Sequence, residues 1–252
     1  MKGPPTSLRI WKGDDEITTV DDWFRFAPPK GGLRQWVDGR SAKELAKAFL
    51  AGGTPSIPVE LRALLCSHPQ LGSVDLLTAI PEHKIALDRF RGGTRNADLA
   101  AIGVERAGKV CVTIEAKAGE RFGDTIGETL AAAASARSNV PRRVAALTEA
   151  VLGRAGTPVG ALRYQLLHGT AATLIYADQQ AATAAVFIVF EFHGPSCKAE
   201  NLARNTRDFE AFLEALAPNA PAPVNGTLSG PFRVPGGEFV PGEPAEHVPG
   251  DR

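Results

Sequence analysis

The 252-residue sequence has no excess of charge of either sign, because Lys plus Arg and Asp plus Glu both number 28. With no net field, nothing draws the whole protein toward nucleic acid or an anionic membrane, and any such attraction must be local. Cysteine is scarce. Cys66, Cys111 and Cys197 are odd in number and far apart, which excludes a disulfide framework and a paired-cysteine metal site and points to reduced thiols in a cytoplasmic setting. Long apolar runs are also missing: the longest, Ala184 to Phe190, is too short to span a bilayer, and Met1 to Pro5 has no signal-peptide apolar stretch, so neither insertion in a membrane nor secretion is expected. There is no Gly-x-Ser-x-Gly, no Gly-x-x-x-x-Gly-Lys, no sustained heptad pattern and no internal repeat, which removes the common hydrolase, nucleotide-loop, coiled-coil and solenoid classes.

What is present is an ordinary globular composition, 44% hydrophobic and 22% charged, in a chain long enough for one sizeable core with appendages. Residues 1 to 40 are rich in Gly, Pro, Trp and charge and read as an irregular N-terminal arm. Residues 41 to 216 read as one α/β domain, and residues 217 to 252, with eight of the 19 prolines, as a Pro/Gly-rich tail that cannot be regular helix or central strand. Within the domain, Ser41 and Gly52-Gly53 bracket a first helix, and a second starts at Pro58. Three strands follow, Lys84 to Phe90, Asp98 to Val104 and Val110 to Lys117, joined by turns at Gly92-Gly93 and at Glu105 to Gly108. Helices are expected from Asp124 to Arg137, from Pro141 to Leu152 and from Ala161 to Ala177. A buried strand from Ala185 to Phe192 and a last helix from Ala199 to Leu216 complete the series.

The chemistry concentrates in the second and third of these strands. In Val110 to Lys117 the even positions are Val, Val, Ile and Ala and the odd ones Cys, Thr, Glu and Lys, so alternation sets Glu115 and Lys117 side by side on the face opposite the apolar one. A four-residue connection, Glu105 to Gly108, pairs Val104 with Lys109 and brings Asp98 opposite Glu115. A slip of one residue would turn Asp98 to the other face. Two carboxylates held together repel, so one of them takes up a proton unless a cation intervenes. Mg²⁺ or Mn²⁺ would intervene, using one or two carboxylates, water and a substrate phosphate. Lys117 beside them supplies positive charge for a phosphoryl transition state. Locally the chain is mildly basic: 12 Lys and Arg face 8 Asp and Glu between Lys84 and Arg154, with Arg95 among those near the hairpin.

Asp98 followed by Glu115-Ala116-Lys117 on a β-hairpin resembles the PD-(D/E)XK, restriction-endonuclease-like superfamily of nucleases, and the helix, three-strand, helix, strand order from Pro58 to Phe192 is similar to that family's core. Ala97 stands where that family often has proline. The stretches Pro81-Glu82-His83-Lys84, Glu120-Arg121-Phe122-Gly123 and Leu162 to His168 look like an uncharacterised bacterial domain family assigned to the same superfamily. The resemblance implies a restriction-endonuclease-like core, a mixed β-sheet flanked by helices. It implies metal-dependent hydrolysis of nucleic acid, DNA before RNA, with Asp98 and Glu115 as metal ligands and Lys117 as the catalytic lysine. Duplex cleavage would call for a homodimer.

Around this set, Glu60 and Glu82 are candidates for a third carboxylate, and Glu120 for a contact to the metal through water. Gln165 and His168, three apart on one helix face, and Arg163 are candidates for touching a phosphate or a base. His193 and Cys197 lack the second pair of ligands a zinc site needs. Two alternatives stand beside the enzyme: a catalytically inactive nuclease-like module that binds nucleic acid or regulates, and an interaction protein built on the Pro/Gly tail. On the blandest reading, Glu115 and Lys117 form an ion pair on a solvated strand face.

Overall fold

A computed structural model describes residues 7–88, 93–134, 138–153, 159–195, 197–218 and 220–234. The chain forms a six-stranded mixed sheet flanked by helices. Its strands are β1 (Arg9–Lys12), β2 (Asp15–Glu16), β3 (Asp75–Ala86), β4 (Thr94–Glu105), β5 (Gly108–Lys117) and β6 (Ala184–Glu191), in the spatial order β2-β1-β3-β4-β5-β6. β3, β4 and β5 form an antiparallel meander, and β1 and β6 add parallel strands to its two sides. The helices are α1 (Val20–Phe26), α2 (Ser41–Leu50), α3 (Val59–Ser67), α4 (Ile126–Ala133), α5 (Val140–Leu152), α6 (Tyr164–Gln179) and α7 (Ala199–Leu216). None of the described helices is long and apolar enough to cross a membrane.

Two apolar layers sandwich the sheet. On one side Val110, Val112, Ile114 and Ala116 of β5 pack with Leu99 of β4 and with Trp23, Leu45, Phe49 and Leu65, the inward residues of α1 to α3. On the other, Cys111 packs with Val144, Leu147, Val151, Leu166, Leu167 and Phe212 of α5 to α7. β5 is therefore covered on both faces as well as paired on both edges, and every residue from Val110 to Lys117 is buried. The face that carries Thr113, Glu115 and Lys117 is not solvated, because α6 lies over it. Thr113 and Thr173 meet there, oxygen to oxygen at 2.5 Å.

Local chemistry accounts for most element ends. Thr125 caps α4, and Glu128 returns a bond to the backbone N–H of Thr125. Gly153 closes α5 in the left-handed conformation at φ 66°. The β4–β5 turn is tighter than the expected four residues: Glu105 pairs with Gly108, leaving Arg106-Ala107 as the turn, and Gly108 sits at φ 139°, where a side chain would be strained. Val104 pairs with Lys109 as the alternation requires.

Three departures from the sequence reading matter for the site. The first strand of the meander begins at Asp75, nine residues before the expected Lys84, and Pro81 lies within it. A proline is tolerated there because β1 pairs only with Thr78 and Ala79, so β3 has an open edge beyond them. The expected end of that strand, Arg89 to Phe90, and Gly92 of its turn lie outside the described residues. The described part of the N-terminal arm, from Ser7, contains β1, β2 and α1, the last with a Thr19/Asp22 capping box, and its longest irregular stretch runs from Ala27 to Arg40 around one 3₁₀ turn. The described part of the tail has no helix or strand, yet Leu228 packs against the first apolar layer and Phe232 lies against α7.

Candidate active site

The β4–β5 ladder runs from Glu105↔Gly108 to Leu99↔Ile114 and stops. Beyond it β4 diverges from β5, and the Asp98 side chain takes over the pairing: its Oδ2 accepts the backbone N–H of Ala116 at 2.7 Å. Alternation also breaks at this point. Ala97 and Leu99, two residues apart, belong to opposite apolar layers, although neighbours of that spacing in a regular strand share a face. Across the sheet, the position between the pairs Pro81↔Leu99 and His83↔Ala97 is Glu82, whose φ is 48°. A non-glycine residue in the left-handed region costs on the order of 1 kcal/mol or more. The paired irregularity falls at the end of the ladder, where Glu82, Asp98 and Glu115 all line one cavity.

Glu115 is the hub. Its Oε1 accepts from Lys117 Nζ and from Gln165 Nε2, each at 2.5 Å, and its Oε2 accepts from Arg95 Nη2. The side chains of Glu115, Lys117 and Arg95 are only 3%, 8% and 8% exposed. The solvated ion pair of the blandest reading is thus replaced by a buried cluster. Lys117 also stands 5.4 Å over the Phe122 ring. Burial by itself would raise the Glu115 carboxyl, but Arg95 and Lys117 outweigh it and hold the group below its usual range. Asp98 behaves oppositely. Burial first, and then the negative charge of Glu115, push its carboxyl up to about 8. Burial likewise raises Glu82, with Glu115 adding to it.

This balance has a pH signature. The Asp98 carboxyl is raised in the folded protein, so between about pH 4 and pH 8 the folded state holds a proton that the unfolded chain has lost, and stability falls as pH rises through that window. Asp98→Asn removes the titrating group while keeping an oxygen for the Ala116 N–H. In metal-free buffer, chemical denaturation across pH 4 to 8 should show the Asn variant gaining on the wild type as pH rises. Parallel curves would show that Asp98 titrates normally.

Asp98, Glu115 and Lys117 lie together on a cavity of ≈ 550 Å³. Glu82 and Arg95 line it too. Arg95 stood near the hairpin in the sequence, but nothing in a one-dimensional pattern marks it as the partner of Glu115. Glu120 reaches the cavity wall, where its carboxylate accepts from Ala118 N–H at 2.5 Å and from Ser41 Oγ at 3.3 Å, joining the end of β5 to the start of α2. Gln165 is brought in through its bond to Glu115. His168, one turn further along α6, packs edge-on to Tyr164, and its buried Nδ1 has no partner. Burial, reinforced by Arg95 and Lys117, keeps this imidazole neutral. Two candidates are not brought in. Glu60 is exposed on α3, away from the cavity. Arg163 is a structural clamp, donating to Asp208 Oδ2 at 2.8 Å and to the Gly123 carbonyl at 3.0 Å. Of the discarded zinc pair, Cys197 donates through Sγ to the Phe192 carbonyl.

Among the described residues, no three His, Cys, Asp or Glu side chains are gathered closely enough to cage a metal ion. The donor chemistry nevertheless suits a hard divalent cation. Asp98 and Glu115 line one cavity and offer carboxylate oxygens, the donors such an ion prefers.

The fold and site define a mixed α/β protein with a buried carboxylate and cation cluster at the splayed end of a β-hairpin. Residues 16–242 match the family described as a domain of unknown function (DUF6946), and the chain belongs to it. No curated protein and no solved structure matches the chain.

Proposed function

We propose that the protein is a restriction-endonuclease-like, PD-(D/E)XK phosphodiesterase that hydrolyses nucleic acid with Mg²⁺ or Mn²⁺. The observation that carries this reading is the meeting of Asp98, Glu115 and Lys117 on one cavity. Asp98 and Glu115 would hold the ion, which would supply a polarised water and neutralise phosphate charge. Lys117, held by Glu115 and seated over Phe122, presents its ammonium where negative charge grows on the phosphorus oxygens. Arg95 and Gln165 keep the Glu115 carboxylate oriented. The free thiols of Cys66, Cys111 and Cys197 agree with a cytoplasmic setting.

The test is incubation with labelled single- and double-stranded DNA and RNA in Mg²⁺, Mn²⁺ or EDTA, with product lengths read on gels. Cleavage in either metal that EDTA stops and Asp98→Asn abolishes is the expected result. Mg²⁺ or Mn²⁺ should also raise the melting temperature of the wild type and leave that of Asp98→Asn nearly unchanged. An equal rise in both would place the ion elsewhere, and absence of cleavage in every arm would favour an inactive module that only binds nucleic acid.

A further inference from the structure

What walls the cavity decides which form of polynucleotide can reach its floor. The floor is recessed, since Glu115 and Lys117 are almost wholly buried. Part of the wall comes from the irregular N-terminal segment, through Lys30, Gln35 and Arg40, and from the first residues of α2. Lys30 and Arg40 are exposed. The acidic neighbour of Arg40 within the wall, Glu120, is 4.0 Å away, at the outer limit of an ion pair, so the guanidinium is free to turn to a phosphate.

A cavity of a few hundred Å³ accepts a ligand of nucleotide size. A duplex, stiff over about 50 nm, carries its phosphates on a paired rod too wide to enter such a recess. A single strand can lower one phosphate to the floor while its neighbours meet the cations of the wall. We infer that the site takes a single-stranded polynucleotide, with Lys30 and Arg40 holding phosphates on either side of the one that reaches Asp98, Glu115 and Lys117. The inference rests on the phosphodiesterase reading for the role of the floor, but the binding it describes is measurable without turnover.

The experiment is fluorescence anisotropy of the full chain with a short labelled DNA strand, the matching RNA strand and the duplex of each, in Ca²⁺ and over a range of salt, with gels showing that the strands stay intact. Wild type should bind at least one of the single strands about tenfold or more tighter than its duplex. Lys30→Gln/Arg40→Gln, with an unchanged melting temperature, should lose about tenfold in affinity and flatten the salt dependence by about 0.7 in log–log slope for each contact removed. Each single Gln variant should show roughly half the change in slope. Equal or tighter binding of duplex, wild-type affinity in the double variant, or no binding of any form would overturn the inference. The hydrolysis reading fails separately, if strands bound in this manner survive Mg²⁺ and Mn²⁺.

Discussion

Lys117→Met should bind a single-stranded substrate in Ca²⁺ as the wild type does, yet cleave it in Mg²⁺ about 100-fold more slowly, a barrier increase of about 2.7 kcal/mol. Methionine keeps most of the stem that packs over Phe122, so the variant removes the ammonium and little else. An exposed ion pair would contribute only about 0 to 1 kcal/mol to stability, but that range does not describe a lysine 8% exposed. Losing its hydrogen bond to Glu115 should cost about 1 to 3 kcal/mol, because Arg95 and Gln165 remain on the carboxylate. Single-turnover cleavage and anisotropy on one preparation, with Asp98→Asn as the control for contaminating nuclease, separate chemistry from binding. Wild-type cleavage by Lys117→Met would remove the residue from the mechanism.

Glu115→Ala should be the most destabilising single change in the cluster. It removes the carboxylate that bonds both Arg95 and Lys117, and breaking a buried ion pair from one side costs about 3 to 5 kcal/mol. For a chain of this size that corresponds to a fall of about 6 to 20 °C in melting temperature. The double variant Glu115→Ala/Lys117→Met, which also removes one stranded charge, should recover part of the loss. A double variant no more stable than Glu115→Ala would show that the charge on Lys117 is not what strands the cluster. Denaturant melts of the four proteins in the cycle measure this coupling directly.

Much of the site was legible because its parts are local. The pairing of Val104 with Lys109 follows from a short turn between two alternating strands, and it carries Asp98 to Glu115 with no information from elsewhere in the chain. The helices α2, α5 and α7 begin and end near their expected residues, and α3 begins near its own, because prolines and glycines act within a turn of their own position; no side chain caps any of the four, and Ser41 is the first helical residue of α2 rather than its cap. β3 escaped because Pro81 reads as a stop, and only the open edge beyond β1 makes it harmless. Glu82 was a candidate third carboxylate, but its position was not legible. Its place on the cavity wall depends on β3 being long enough to lie across the whole of β4.

The sequence by itself determined the strand and helix order from α2 to α7, the hairpin register and the grouping of Asp98, Glu115 and Lys117 at one end of the hairpin, since period-two alternation and turn chemistry are short-range. Tertiary structure alone decided that Glu115 and Lys117 are buried, because a strand cannot report which helix covers its polar face, here α6 through Gln165 and Thr173. It decided that Arg95 rather than a more distant arginine answers Glu115, and that Asp98 keeps its proton, because both follow from desolvation and distance. It also brought Lys30 and Arg40, separated by more than fifty residues from the hairpin, to the wall of the same cavity. No local pattern encodes that meeting, which exists only once α1 and α2 have buried Trp23, Leu45 and Phe49 against the far side of the sheet.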